Sequence, residues 1–322
     1  MASFDKLKGI NDISESTLSD NLESNLITFF NWGLLGIGAF GNVVINNASG
    51  AYGGDMSFLS PVRDRNYQEG QVWQAFRQDW VWESGINYSV QPIQVSGVYV
   101  NGTFHSLAST GTFAHHVNYV LGRIVFDSPI SMTSNVVQAE YSYRLFPFQS
   151  SNQTWFRNVQ FESFRVDDTQ FQQYGSGIWD VLAQDRVQLP TVVVEITPRS
   201  SMFGYELGGT TTINKDILYH VFAENPWDRQ RMLDIIAYQK DKTLPLFDKN
   251  LMAAASKFPL DYRGAIASGA MCFPDLVKPT GQGGFYWRAG TFVEMTTMET
   301  ISQPPLYQGC VRSSFGVNIL LI

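Results

Sequence analysis

The sequence predicts a β-rich α+β protein with an N-terminal helical arm, an antiparallel, sandwich-like β domain, and an α+β domain with one prominent helix on a sheet. Three observations lead to this class. Leucines recur at helical spacing near the start, alternating apolar residues and turn residues fill the middle, and a β-branched run followed by a capped helical pattern lies in the second half. We expect the three parts to span residues 1–48, 49–186 and 187–322.

The first predicted element is an amphipathic helix in "TLSDNLESNLITFF". Its apolar stripe is Leu18, Leu22, Leu26 and Phe29 or Phe30. Thr17 and Asp20 have the spacing of a capping box at its start, and Gly33 is its predicted end. Such a helix can pack on its own core or dock on a neighbouring subunit, and the sequence leaves both roles open.

The next stretch, "GLLGIGAFGNVVI", contains Gly36, Gly38 and Gly41 in the spacing G-x-G-x-x-G. A dinucleotide site needs this string between a strand and a helix, and a kinase loop needs further lysine and aspartate motifs that do not occur here. The residues after Gly41 do not favour a helix. We therefore predict no nucleotide and no cofactor, and interpret the stretch as a segment packed closely against another subunit.

A membrane role for this part of the chain is a weaker alternative. No charged residue occurs between Glu23 and Asp55, and the segment from Ile27 to Ile45 approaches the ~20 apolar residues that a spanning helix needs. Four glycines and two asparagines within it disfavour insertion. We expect a buried or subunit-facing segment and no membrane contact.

The region from about residue 72 to 196 reads as strands joined by turns. In "IQVSGVYVNGTFHSL", Asn101 and Gly102 supply the positive-φ pair of a two-residue hairpin turn. "HHVNYVLGRIVFDSPI" repeats the alternation with Gly122 at the bend, and "NVVQAEYSYRLFPF" adds a further alternating run. These runs predict the antiparallel β domain.

The second half combines strands with a helix. "VQLPTVVVEITP" and "DILYHVFAE" predict two strands, and "NPWDRQRMLDIIAYQKDK" predicts a helix with Asn225 as N-cap and Pro226 at its first position. "TLPLFDKN" follows as a short strand or loop. "GGFYWRAGTFVEMTTMET" and "GCVRSSFGVNILLI" are predicted to close the sheet.

The composition favours assembly with partner subunits. Charged residues make up 16% of the chain, against roughly 25% in an average soluble protein, while aromatic residues make up 14%. A chain with so little surface charge is expected to cover part of its surface with partners, and the alternative is a β-rich protein with an uncharged polar surface. The net charge of −7 and the lack of a basic run disfavour direct nucleic-acid binding. Cys272 and Cys310 are interpreted as reduced core thiols, and the N-terminus lacks the apolar region of a signal peptide.

Residues that could carry chemistry form no recognisable catalytic or metal motif. His115 and His116 are neighbours on a predicted strand and so point to opposite faces, which disfavours a shared metal. Carboxylates could still pair as in glycosidases, for example among Asp167, Asp168, Asp180 and Glu195. The tryptophan-rich "QVWQAFRQDWVWES" suits a core cluster, an interface or a sugar platform.

The stretch from "PTVVVEITP" through "DILYHVFAENPWDRQRMLDIIAYQKDKTLPLFD" resembles neck and tail-completion proteins of tailed bacteriophages, of the tail terminator type. The resemblance covers roughly residues 190 to 250. It implies a sheet that carries a helix in the order strand, helix, short strand, and a ring of subunits that caps the tail tube beneath the head. It implies no catalytic residues, because that family works through its surfaces.

These expectations combine into one function and two alternatives. We expect a non-enzymatic virion subunit, assembled in the host cytoplasm, that forms a cyclic homo-oligomer at the head–tail connection. Its partners are then copies of itself and adjacent neck, tail tube or sheath proteins, with DNA passing through the ring without sequence-specific contact. The alternative is a capsid decoration or fibre- or baseplate-associated glycan-binding module, and a carbohydrate-active enzyme ranks third. The predicted interface residues are Leu18, Leu22, Leu26, Phe30, Trp32, Phe40, Trp73, Trp80, Trp82 and Trp227.

Overall fold

Two seven-stranded sheets organise the part of the chain that the computed structural model describes, namely residues 12–45, 55–153, 155–156, 188–204, 210–298, 302–303 and 306–320. The protein is a β-rich α+β fold, as predicted. One sheet is built by the middle of the chain and the other mainly by its second half.

The sheet of the middle region is antiparallel throughout, with the strand order β5-β4-β8-β2-β3-β7-β6. Its strands are β2 (Phe58–Pro61), β3 (Val72–Gln74), β4 (Gly97–Val100), β5 (Thr103–Ser106), β6 (His115–Asn118), β7 (Arg123–Phe126) and β8 (Val137–Gln138). The short strands β1 (Phe40–Val43) and β9 (Tyr141–Arg144) form a separate antiparallel pair that contributes to the same core.

Both predicted hairpin turns of this region are confirmed. Asn101 and Gly102 have φ angles of 51° and 78° and join β4 to β5, which is the backbone that the Asn-Gly pair favours. Gly122 has a φ of 61° between β6 and β7, and a side chain there would collide with the backbone of Arg77 and Gln78.

The second sheet has the order β10-β11-β12-β16-β14-β13, with β15 paired to β16. Its strands are β10 (Phe148–Ser150), β11 (Thr191–Gly204), β12 (Thr210–Ala223), β13 (Thr243–Phe247), β14 (Tyr286–Met298), β15 (Ser302–Gln303) and β16 (Leu306–Leu320). The β10–β11 pair is parallel and the other pairs are antiparallel. The helices are α1 (Leu18–Gly36), α2 (Pro226–Ala237), α3 (Lys249–Ala254) and α4 (Phe273–Leu276), with a 3-10 turn at Thr280–Gln282.

Two helices share one face of the second sheet, where a single prominent helix was predicted. The α2 helix begins as predicted, with Asn225 capping the amide of Asp228 and Pro226 in the first turn. It buries Met232, Leu233 and Ile236 against the sheet. The α1 helix lies on the same core through a stripe that includes Leu22, Leu26, Phe30 and Leu34. The N-terminal helix is therefore part of the second sheet's core and does not form a separate arm.

The start of α1 was predicted correctly and its end was not. Thr17 and Asp20 form the capping box. The helix continues three residues beyond Gly33, because Leu34 and Leu35 extend its buried face and the space beside Gly33 is open. It ends before Gly38, which has a φ of 82°.

The division into three consecutive parts differs from the observed packing. The predicted boundaries at 48/49 and 186/187 lie outside the described residues. Strands on one side of each boundary nevertheless pair with strands on the other side. Residues of β1 pair with β9 of the middle region, and β10 from the predicted β domain joins the second sheet beside β11. The physical cause is Pro147, which ends the run after β9 and whose carbonyl oxygen accepts hydrogen bonds from Thr191 and Val192.

Candidate functional site

The apolar stripe of α1, predicted as an interface, is covered by this chain's own sheet. Leu22, Leu26 and Phe30 are buried, and Leu18 packs at the rim of the same cluster. Phe30 stacks on Phe148 of β10 with the ring centroids 4.6 Å apart. In this conformation these side chains stabilise the fold, and none of the three buried ones is accessible to a neighbour.

Trp32 and Phe40 occupy intermediate positions at the end of α1 and the start of β1. Trp32 is half-buried between the α3–α4 region and the cluster that contains Leu35. Phe40 is half-buried with its ring against Tyr88, at a centroid distance of 6.0 Å. Both side chains contact residues of their own chain and keep part of their surface exposed.

The tryptophans of the middle region separate into core and surface. Trp73 and Trp80 are buried, and Trp80 stacks on Tyr141 with centroids 4.4 Å apart. Their indole nitrogens donate to the carbonyl oxygens of Gly70 and Arg77. These two are core residues, whereas Trp82 is half-buried and lines a cleft.

Trp227 is the most exposed of the predicted interface residues. It lies in the first turn of α2 with 81% of its surface exposed, and Tyr238 at the C-cap of the same helix is also 81% exposed. Tyr238 lies eleven positions after Trp227, which is about three turns, so both point from the same side of α2 and lie ~16 Å apart. The sheet covers the opposite side of the helix.

A second exposed apolar position is Met202 on the β11–β12 hairpin. Met202 is 68% exposed and pairs with Ile213 of β12. Within the described residues, β10 accompanies β11 only as far as Val194, so the rest of β11 is an edge strand. Pro198 and a bulge between Ile196 and Ser200 interrupt that edge, which limits uncontrolled pairing with other strands.

A cleft of about 430 Å³ lies between the two sheets. Its walls come from the middle of α1, residues 78–83, the turn between β6 and β7, Arg144 at the end of β9, and the chain from β10 to Trp155. These elements belong to both parts of the fold, so the cleft exists only because α1 and β10 pack beside the middle region. Its volume is in the range of small-molecule sites.

Arg144 and Glu83 form a buried ion pair in the wall of this cleft. The Arg144 Nη2 donates to both carboxylate oxygens of Glu83, with the longer contact at 2.6 Å. Arg144 Nη1 donates to the carbonyl oxygen of Trp80 at 3.3 Å. These hydrogen bonds join two charged groups and are therefore strong, so the pair stabilises this wall of the cleft.

Asp79 is the second carboxylate in the cleft and has much weaker partners. It is half-buried, and among the described residues its carboxylate accepts one hydrogen bond, from Gln149 Nε2 at the long distance of 3.5 Å. Burial raises the pKa of Asp79 to about 6, although the nearby Arg144 acts in the opposite direction. Perturbed carboxyl groups in clefts are candidates for functional residues.

The backbone fixes the position of this carboxylate. Asp79 has a φ of 50°, in the left-handed region that most side chains avoid. Its amide donates to the carbonyl oxygen of Val120 and its own carbonyl oxygen accepts from Arg144, both at 3.0 Å. The Gln149 amide is oriented in turn by Trp155, whose indole donates to Gln149 Oε1 at 3.3 Å.

Of the carboxylates considered from sequence, Glu195 is the one that lies among the described residues. Asp167, Asp168 and Asp180 lie outside the described residues, and Glu195 Oε2 is 2.8 Å from His220 Nε2 on the second sheet. A glycosidase needs two carboxyl groups that both reach the substrate. In the cleft Glu83 is bound to Arg144, which leaves Asp79 as the carboxylate that faces the open space.

His115 and both cysteines are buried, whereas His105, His116 and His220 are half-buried. Burial lowers the pKa of His115 and of His116, and burial raises the pKa of the Cys310 thiol to about 11. Cys272 and Cys310 are free thiols and buried, as predicted. In the described ranges no group of three or more His, Cys, Asp and Glu side chains is placed to hold a metal ion.

The glycine string lies at a helix-to-strand junction, the reverse of the order in a dinucleotide site. Gly36 is the last residue of α1 and Gly41 lies in β1. Side chains at Gly38 and Gly41 would collide with the rings of Tyr88 and Tyr143, so the close approach is made by residues of the same chain and not by another subunit. No described helix is long and apolar enough to span a bilayer.

No local motif signals the cleft, because Asp79 and Arg144 meet through a backbone hydrogen bond between distant segments of the chain. Comparison of the sequence with protein-family models and with curated proteins finds no match.

Proposed function

We propose that the protein is a non-enzymatic structural subunit of a tailed-bacteriophage virion that forms a homo-oligomeric ring at the neck or upper tail. In this proposal the subunit binds copies of itself and adjacent neck, tail tube or sheath proteins, and DNA passes through the ring without sequence-specific contact. The net charge of −7 fits such a passage, because an acidic protein repels the phosphate backbone.

The observation that carries the proposal is the exposed pair Trp227 and Tyr238 on α2. Large aromatic side chains are enriched among the residues that dominate protein–protein binding, since they bury much area with little loss of rotamer freedom. Two of them on one side of one helix, with the opposite side fixed to the sheet, form a rigid surface for a partner.

A ring requires two different contact surfaces on each subunit, because its contacts are head-to-tail. Met202 provides the second exposed apolar position, on the hairpin at the far end of β12 from the start of α2. About ten residues of extended strand separate Ile213, its pairing partner, from the end of β12, which is about 33 Å. Trp227, which follows the end of β12, therefore lies far enough from Met202 for the two to contact different neighbours.

The test is native mass spectrometry with negative-stain imaging of the wild type, Trp227→Ala and Tyr238→Ala. We expect closed rings for the wild type and a shift toward monomers for each variant, with unchanged thermal unfolding of the monomer. Tyr262→Ala is the matched control, since Tyr262 is an 88% exposed aromatic side chain outside α2. A wild type that stays monomeric at high concentration, or variants that assemble as well as the control, would contradict the proposal.

The alternative is a capsid decoration or fibre- or baseplate-associated module that binds glycans, and one observation keeps it open. Trp82 is half-buried at the cleft and could stack on a sugar, whereas Trp73 and Trp80 are inside the core. Binding on a glycan array that Trp82→Ala abolishes, by a protein that forms no rings, would favour this alternative.

A further inference from the structure

The cleft is lined by one more negatively charged side chain than positively charged ones. Its charged side chains among the described residues are Asp79, Glu83 and Arg144. Because Arg144 donates to both oxygens of Glu83, that pair is neutral as a unit. Asp79 remains with the weak contact from Gln149, so among the described residues its carboxylate has no direct cationic partner, because the nearby Arg144 guanidinium binds Glu83.

The remaining walls suit a cation with an apolar stem. The half-buried Trp82 lines the cleft, together with the apolar residues Ile27, Leu121 and Phe148. Aromatic faces attract ammonium and guanidinium groups, and apolar walls hold the carbon chains that carry such groups. A divalent metal ion, by contrast, takes six or more oxygen ligands, and this cleft offers one uncommitted carboxylate.

From these contacts we propose that the cleft binds an organic cation, an ammonium or guanidinium group on an apolar stem, with Asp79 as its counter-ion. The carboxylate is held in place before binding, because both backbone groups of Asp79 are hydrogen-bonded to neighbouring segments. Its left-handed backbone and partial burial are costs that a bound cation offsets. The site does not depend on ring formation, and a monomer would bind the same cations.

Isothermal titration of the full-length protein with N-acetyl-L-argininamide at pH 7.5 tests the site. N-acetyl-L-citrullinamide serves as the neutral ligand of nearly the same shape. We expect the cation to bind and Asp79→Asn to weaken its binding at least about tenfold, since the lost contact is a charge-assisted one. Equal binding of the neutral ligand, or equal binding by wild type and Asp79→Asn, would overturn the proposal.

Asp241→Asn is the matched control variant. Asp241 has the same left-handed backbone, with a φ of 62°, but it is exposed in the turn after α2 and does not line the cleft. We expect its affinity for N-acetyl-L-argininamide to equal that of the wild type. An equal loss in both variants would mean that any carboxylate of this type attracts the ligand, and the cleft would not be the site.

The proton that Asp79 releases when a cation binds can be measured on the wild type, so this test does not depend on how a variant folds. The titratable and charged groups that line the cleft with Asp79 are Glu83, Arg144 and Tyr119. At pH 6 Asp79 holds its proton in about half of the molecules, and a bound cation favours the charged form. Titrations in buffers of different ionisation enthalpy should therefore show release of about half a proton per cation bound at pH 6. No release would overturn the proposal.

Two further ligands identify the source of the cation. Putrescine represents a free polyamine, and acetyl-Gly-Arg-Gly-amide represents a basic segment of a partner protein. Binding of either one that Asp79→Asn weakens supports the site, and the tighter of the two indicates the source. Maltotriose that binds more tightly than both, with equal affinity in Asp79→Asn, would replace the proposal with a glycan site.

Discussion

Asn25 of α1 forms two hydrogen bonds with the backbone of Phe247 on β13. Its Nδ2 donates to the Phe247 carbonyl oxygen at 2.9 Å, and its Oδ1 accepts from the Phe247 amide at 2.8 Å. Asn31 repeats this arrangement with the amide and carbonyl of Phe148 on β10, at 3.0 and 3.4 Å. Because β10 and β13 are the two ends of the strand order, the helix covers backbone groups at both edges of the sheet.

Replacing Asn25 with leucine should destabilise the protein by about 3 kcal/mol, because the buried amide and carbonyl of Phe247 lose their partner while the volume changes little. Urea unfolding followed by tryptophan fluorescence measures this. Thr28→Ala is the control on the same helix, since the Thr28 hydroxyl donates to the Ser24 carbonyl oxygen within α1. We expect the control to change stability by less than about 1 kcal/mol, and a similar loss in both variants would contradict the role of Asn25.

The local elements were predictable from sequence, and their association was not. The capping box at Thr17, the N-cap at Asn225 and the Asn101-Gly102 turn depend on residues within a few positions of one another. The docking of α1 depends on contacts across 117 and 222 residues, for which a single sequence carries no periodic signal. An amphipathic stripe predicts that a helix buries one face, but it does not identify the surface that covers it.

The candidate site also depends on the association of distant segments, so it could not be predicted from the sequence. Asp79 contacts Gln149, 70 residues away, and the cleft appears only when β10 joins the second sheet. Trp82 was predicted because tryptophan is conspicuous in a sequence, whereas an aspartate flanked by Gln78 and Trp80 is not. The raised pKa of Asp79 arises from burial, which depends on the assembled fold.

Gly33→Ala should stabilise the protein by about 0.5–1 kcal/mol. Gly33 lies inside α1, no atom lies within 4 Å of the position of an added side-chain carbon, and alanine is the better helix former. Gly38→Ala should have the opposite effect, because Gly38 has a φ of 82° and the Tyr88 ring occupies the space. Thermal unfolding of both variants measures the difference. Stabilisation by both would mean that the helix end tolerates a side chain.

Asp79→Asn should stabilise the protein at pH 7.5 and change little at pH 4. The folded carboxyl keeps its proton up to about pH 6, whereas the unfolded one loses it near 3.8. Between these values the folded state binds more protons, so wild-type stability falls as the pH rises and remains lower above pH 6. Allowing for the partial exposure of Asp79, we expect a gain of at most about 2 kcal/mol in urea unfolding. An equal effect at both pH values would indicate a change of packing alone.

His115 should make the protein sensitive to mild acid. Its ring is buried on β6, its Nδ1 lies 2.8 Å from the Phe113 carbonyl oxygen, and its Nε2 has no hydrogen-bond partner among the described residues. Because that carbonyl accepts a hydrogen bond, the proton of the neutral ring lies on Nδ1. A second proton on Nε2 would place a charge where burial disfavours it, and the pKa of His115 is accordingly lowered.

The sign of the effect follows from the proton balance. As the pH falls below about 6.5, the unfolded chain takes up a proton at this position and the folded protein does not. Stability is therefore complete above pH 6.5 and falls below it, by up to about 1.4 kcal/mol per pH unit for one histidine. His115→Gln removes this group, so the fall between pH 7.5 and 5 should be smaller in the variant. The difference at pH 7.5, where the wild-type ring is neutral in both states, measures the packing cost alone. The pKa of His116 is also lowered by burial, so His116 accounts for part of the pH dependence that remains in the variant. An identical dependence of stability on pH in both proteins would show that His115 takes up its proton in the folded state as readily as in the unfolded chain.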